Sequence, residues 1–252
     1  DDCISGHANQ ARIHQFPLND KKNCIYSPDV ISFARKQGYF NGKDEEFSFA
    51  NAYAPLDFGA LRGCDARVWS FFNRYVEGMD KYLPYINGKK NVEVMPLFIK
   101  PDKKLSVYDV QNMMRDHFEG TPFDMTKDPG ATQYWGVPYR YRPMTFKVDG
   151  VEYTNERAIA TQQTGFVLVS QMRSWLPDAV GGIEWFGVDD ANTAVFLPMY
   201  CSMTTVPKSY DETTGDLYNF TWESAFWVNN WVANQAYNRY SFMIDDIRVV
   251  QN

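Results

Sequence analysis

Gln171-Met172-Arg173-Ser174-Trp175-Leu176-Pro177-Asp178, resumed by Gly181-Gly182-Ile183-Glu184-Trp185-Phe186-Gly187-Val188-Asp189-Asp190, sets two short apolar runs on either side of a turn-forming segment. With the run that follows, the apolar segments cover residues 165–172, 182–188 and 193–200, and Pro, Gly and Asp-Asp punctuate them at the spacing of strands. Consecutive strands usually lie side by side, so the three runs predict neighbours in one antiparallel sheet. Asp189-Asp190 fits a turn between two of them. Adjacent residues on a strand point to opposite faces, so two such carboxylates cannot act together there. Asp245-Asp246 is read in the same way.

Outward from this sheet, Asp149-Gly150 separates residues 145–148 from 151–153 and suits the positive backbone angles of a two-residue hairpin turn. Ser106-Val107-Tyr108-Asp109 has the form of a capping box, with Asp in place of the usual Glu, and predicts a helix to about residue 118. Val68, Phe71, Phe72, Tyr75 and Val76 recur three and four apart, which predicts a helix entered from residues 59–65 and ended at Gly78. Ser27-Pro28 places a hydroxyl before a proline and predicts a short helix that stops at Gly38. Residues 224–237, rich in Trp and Asn, read as a last helix. Residues 3–13 read as a strand running into an Asn-rich turn at His7-Ala8-Asn9-Gln10, and residues 95–99 as another strand. Repeated Gly, Pro and Tyr across residues 120–143 mark a long loop. The order of elements favours an α+β layer architecture.

Composition narrows the function classes. In 252 residues, 44% are hydrophobic and 16% aromatic, enough for a sizeable core. The 31 acidic and 25 basic side chains leave a formal charge of −6 with no long run of either sign, which argues against a nucleic-acid partner. Pro, Asn, Asp or Arg interrupts every apolar run, so no membrane-spanning segment is expected. Four cysteines, Cys3, Cys24, Cys64 and Cys201, are too few for a disulfide scaffold and read as free, mostly packed thiols. His7, His14 and His117 are the only imidazoles, and none stands at short spacing from a cysteine in a motif. No ligand cluster for a metal is evident, and Ser170 and Ser174 lack the Gly-x-Ser-x-Gly elbow. Residue chemistry alone leaves an α+β domain without a declared activity.

Longer blocks change that reading. The stretch 171–190 with Pro198-Met199-Tyr200 resembles the peptidase family C69 dipeptidases, as do Arg115-Asp116-His117-Phe118-Glu119-Gly120-Thr121-Pro122-Phe123-Asp124 and His7-Ala8-Asn9-Gln10-Ala11-Arg12-Ile13. Ala66-Arg67-Val68-Trp69 and Glu156-Arg157-Ala158-Ile159-Ala160-Thr161 extend the resemblance over nearly the whole chain. It implies an N-terminal-nucleophile (Ntn) hydrolase, built as a four-layer αββα sandwich of antiparallel sheets, that cleaves dipeptides without a cofactor or metal. Its nucleophile is a cysteine at the mature N-terminus, whose own α-amino group takes the thiol proton.

Cys3 departs from that pattern, being preceded by Asp1-Asp2 and followed by Ile4-Ser5. The expectation is that residues 1–252 are one portion of a single such domain, inactive alone, with the nucleophile segment and a C-terminal extension outside it. The resemblance assigns Asn9 to the oxyanion and Arg67 to favouring the thiolate or orienting a carboxylate. Trp175 suits a substrate-pocket wall or core packing. Asp116, His117, Glu119 and Asp178 are family marks without an assigned role. Two alternatives stay open: an amidase of the choloylglycine or penicillin acylase type acting on N-acyl amino acids, and a non-catalytic peptide- or glycan-binding domain. The expected partners are a dipeptide or small peptide substrate and the missing N-terminal segment, with homo-oligomerisation open and an extracytoplasmic location (periplasmic or secreted) preferred.

Overall fold

A computed structural model describes residues 2–127, 136–138, 145–154 and 156–252, which divide into one unit of Asp1–Lys103 with Pro143–Arg157 and a second of Lys104–Arg142 with Ala158–Asn252. In the first unit, β1 (Ile4–Ser5) pairs antiparallel with β2 (Phe98–Ile99), Ile4 opposite Ile99. Both strands are shorter than their sequences suggested. A side chain takes the place of the ladder: Arg12 donates through Nη1 to Gly6 O (2.9 Å) and through Nη2 to Met95 O (3.1 Å) and Pro96 O (2.8 Å). Carbonyls satisfied by a buried guanidinium need no partner strand.

Helix α1 (Val30–Lys36) begins later than Ser27-Pro28 implied, because the Ser27 hydroxyl donates to the Asp29 carboxylate and caps nothing. Gly38, at φ 75°, accommodates the left-handed turn after it. Ile31 and Ala34 on this helix bury against Phe47, with Phe16, Phe40 and Tyr53 around them. Helix α2 (Phe49–Tyr53) is capped by Ser48, whose Oγ accepts from Asn51 N (3.3 Å). The helix anticipated around Val68 is α4 (Ala66–Asn73), entered through α3 (Phe58–Ala60) and a π-helical turn, Leu61–Asp65. Val68 and Phe72 bury as the spacing predicted and Phe71 only partly, while Trp69, outside that stripe, is also buried and its Nε1 donates to Met79 O (2.9 Å). The helix stops at Asn73 rather than Gly78, whose φ of 77° introduces the turn leading to α5 (Leu83–Ile86). The hairpin β3 (Thr145–Val148) and β4 (Val151–Thr154) closes on Asp149 (φ 49°) and Gly150 (φ 79°), the two positive angles that Asp-Gly supplies.

In the second unit, α6 (Val107–Met114) carries both halves of the capping box: Ser106 Oγ accepts from Asp109 N (3.1 Å), and Asp109 Oδ2 accepts from Ser106 N (2.8 Å). Three strands form the predicted antiparallel sheet in the order β5 (Phe166–Met172), β6 (Gly182–Val188), β7 (Leu197–Tyr200), with α7 (Asp178–Gly181) between the first two. Val167, Val169 and Ile183 point into the core, while Phe166 and Met172 stand exposed on the other face. Only the end of the third run is strand. Asp189 takes φ 67°, and Asp190 Oδ2 accepts from both N and Oγ1 of Thr193 (each 3.0 Å), folding residues 190–194 into a turn. Helix α8 (Ala225–Asn238) matches expectation, but α9 (Tyr240–Gln251) was not foreseen, and Asp245-Asp246 lie inside it rather than in a turn. Tertiary contacts override the local signal: Arg248 Nη1 donates to Asn192 O (2.8 Å), and Gln251 Nε2 to Ala194 O (2.8 Å). Helices beside small antiparallel sheets make the fold α+β. Of the long loop read at 120–143, residues 128–135 and 139–143 lie outside the described residues.

Candidate active site

The π-helical turn Leu61–Asp65 widens the helix just where chemistry-bearing side chains leave it in several directions. Arg67, one turn on, donates through Nε to Gly63 O (2.8 Å) and through Nη2 to Asn9 Oδ1 (2.7 Å). The two residues singled out from separate sequence blocks are therefore in direct contact. An amide has one acceptor and one donor end. With Oδ1 engaged by Arg67, the Nδ2 hydrogens of Asn9 are the free end, and Asn9 sits exposed at the bend of residues 9–10. Arg67 is half-buried, and burial pulls its pKa down; contact with the Cys64 thiol opposes this, and the charge of Arg157 adds to it. Guanidinium remains cationic through such shifts.

Asp65, on the same turn, faces elsewhere and is 1% exposed. Tyr85 donates to its Oδ2 (2.6 Å), and Arg12 Nε lies 3.8 Å from its Oδ1. Burial pushes the Asp65 carboxyl up, against the opposing effects of Tyr85 and Arg12. These three groups line a cavity of about 430 Å³ together with Gln10, His14 and Asn51. The cluster holds the segment that carries Asn9 against the segment that carries Arg67. Arg62, also on the π turn, forms a largely buried ion pair with Glu156 and donates to Asn87 Oδ1 (2.6 Å). The next residue, Arg157, is exposed.

The second unit places the remaining sequence-selected residues. Trp175 stands in the turn between β5 and β6, 76% exposed, so it is not a core residue. His117 is wholly buried: its N–H and Nδ1 meet the two oxygens of Glu119 (2.8 and 3.3 Å), and its Nε2 lies 3.3 Å from Tyr237 OH, which donates to Asp190 Oδ1 (3.2 Å). Burial pushes Glu119 upward, but the hydrogen bonds and charge of His117 outweigh it and hold Glu119 well below the usual carboxylate range. Burial raises Asp190, opposed by His117, Thr193 and Tyr237. Asp116 is buried too, and its carbonyl accepts from Ala160 N (3.0 Å).

The cysteines are less packed than expected: Cys3 and Cys201 are exposed, and Cys24 and Cys64 are partly so, all four unbridged. Among the described residues no hydrogen bond joins a cysteine to a histidine. What the first unit offers is an oriented amide donor beside a fixed cation. Sequence reasoning had no role for Cys64, Asp65 or Arg157, although Arg157 stood inside a block it quoted.

Comparison with known proteins agrees with the blocks. The profile described as Peptidase family C69 matches residues 1–252. A probable dipeptidase of Salmonella dublin is 28% identical over 196 residues, covering 78% of this chain and 39% of that protein. Dipeptidase A of Lactobacillus helveticus is 21% identical over 242 residues (95% and 44%), and a dipeptidase of Bifidobacterium longum (strain NCC 2705) is 26% identical over 242 residues (89% and 40%). The chain thus spans about two fifths of the length of these relatives.

Proposed function

Since the chain belongs to peptidase family C69, we propose that it carries the oxyanion side of the active site of a cysteine-type dipeptidase whose attacking thiol lies outside these 252 residues. The observation that carries the reading is the Arg67–Asn9 hydrogen bond, 2.7 Å, which turns the Asn9 amide so that its N–H groups are free to donate. A thiolate adds to the scissile carbonyl, the C–S bond forms, and the carbonyl oxygen takes the negative charge. Asn9 Nδ2 donates to that oxygen, an interaction worth about 3–4 kcal/mol in comparable sites because it strengthens as charge develops. The C–N bond then breaks, the amine leaves with the proton taken from the thiol, and water hydrolyses the thioester to return the thiol and release the acid. Arg67 keeps the amide aimed and supplies a fixed positive charge beside it.

Dipeptidase names among the relatives support the substrate class. The test is a panel of dipeptides and conjugated bile salts presented to the full gene product, before and after alkylation with iodoacetamide. Dipeptide turnover abolished by alkylation is the expected result. Turnover of the bile salts alone would move the activity to the amidase class, and turnover that survives complete alkylation would remove the thiol.

A further inference from the structure

Asn9 stands at the middle of a loop that a side chain closes on itself. Arg12 Nη1 donates back to Gly6 O (2.9 Å), so residues 6–12 form a compact loop with its two ends joined and the bend of residues 9–10 between them. Arg12 is 6% exposed and is held from three other directions. Its Nη2 donates to Met95 O (3.1 Å) and Pro96 O (2.8 Å), its Nε faces Asp65 Oδ1 at 3.8 Å, and its guanidinium carbon lies over the Phe72 ring, 5.7 Å from the centroid. Asp65 and Phe72 lie on either side of Arg67 in the sequence, one on the π turn and the other on α4. A cation buried this deeply keeps its place only while it is paired. Asp65, which also accepts from Tyr85 (2.6 Å), supplies the counter-charge.

The other end of the loop meets the same helix through a missing side chain. A Cβ on Gly6 would stand 3.0 Å from Val68 Cγ1 and 3.0 Å from Phe71 Cδ1, inside the ordinary carbon–carbon contact of about 3.5–4.0 Å. Val68 follows Arg67 directly, so glycine lets the base of the loop lie against the turn of α4 that carries Arg67. Both ends of the loop are thus registered on one helix, and Gln10 Nε2 adds a bond to Ala54 O beside the bend. An oxyanion donor is productive over a narrow range, about 2.7–3.1 Å, so the place of the Asn9 backbone matters as much as the direction of its amide. We propose that Arg12 is a positioning residue for Asn9: with Asp65 as its counter-charge and Gly6 as the contact point on α4, it fixes where the amide stands, while Arg67 fixes which way round it faces. The proposal rests on the functional reading above.

Kinetics and crystallography of the full gene product test it through two variants. Gly6→Ala leaves every hydrogen-bonding group in place and sets one methyl against Val68 and Phe71. Arg12→Lys keeps the charge facing Asp65 but loses the fork that reaches Gly6, Met95 and Pro96 together. Each lowers kcat on a dipeptide about tenfold, with KM changed less than about twofold. Added to Asn9→Ala, neither lowers kcat by more than a further factor of about two, because a group that acts through Asn9 has nothing to act on once the amide is gone. Crystal structures of the variants show the Arg67 Nη2 to Asn9 Oδ1 separation lengthened beyond 2.7 Å. Wild-type kcat in both variants, losses that multiply with that of Asn9→Ala, or an unchanged separation overturns the proposal. A lengthened separation in an enzyme whose kcat is indifferent to Asn9→Ala keeps Arg12 as the positioning residue and removes Asn9 from the oxyanion. Should Arg12→Lys fail to fold, Gly6→Ala alone carries each of these readouts.

Discussion

The Asn9 amide presents its donor end only while it is held the right way round, and a single guanidinium holds it. Replacing Asn9 with Ala removes the donor but leaves the surrounding contacts, so kcat of the full gene product on a dipeptide should fall by about 10²–10³ with KM little changed. Steady-state kinetics decides this, and a loss confined to KM would assign Asn9 to ground-state binding. Glu119 makes a separate, pH-dependent statement. Its folded pKa lies below the ordinary 4.5, so it contributes stability that is present above 4.5 and lost as pH falls through the lower folded value. The melting temperature of wild type should exceed that of Glu119→Gln at neutral pH, and the gap should close as the buffer is taken below 4.5; a gap constant with pH would dissociate Glu119 from His117. Asn9 and Arg67 were picked out because each sits in a block whose neighbours resemble a known family, and the structure brings the two into contact. The Glu156–Arg62 ion pair, by contrast, joins residues 94 positions apart, which no local pattern encodes.

Elements were legible where their own residues decide them. The Asp149-Gly150 hairpin, the β5–β6–β7 meander and the capped start of α6 follow from turn angles, alternation and side-chain caps. Ser106→Ala removes the hydroxyl that accepts from Asp109 N and should cost about 1 kcal/mol in chemical denaturation, with Ser106→Thr costing less. Equal losses from both would mean that the hydroxyl does not cap. Elements were misjudged where distant partners intervene. Arg12 takes over the carbonyls that a longer β1 and β2 ladder would have engaged, and Asn192 and Ala194 receive donors from α9, whose Asp pair looked like a turn. The π turn before α4 was invisible for a related reason: its residues, Leu-Arg-Gly-Cys-Asp, are compatible with an ordinary helix, and the widening becomes evident only in what Arg62, Asp65 and Arg67 reach.

For the chain as a whole, the α+β class followed from the order of elements, and the family from blocks spread over its length. The candidate site is one-sided: an amide donor and the Arg67 guanidinium in one unit, with no cysteine hydrogen-bonded to an imidazole among the described residues. The 252 residues alone should therefore show no dipeptide turnover in an assay in which the full gene product is active; turnover by the chain alone would place the nucleophile among its own four cysteines. The Arg67–Asn9 bond spans 58 positions, and the Arg62–Glu156 ion pair spans 94. Closing loops of that size lags behind the coiling of local helices. A molecule recovering from denaturant would thus regain its helical spectrum before Arg67 meets Asn9 and Arg62 meets Glu156.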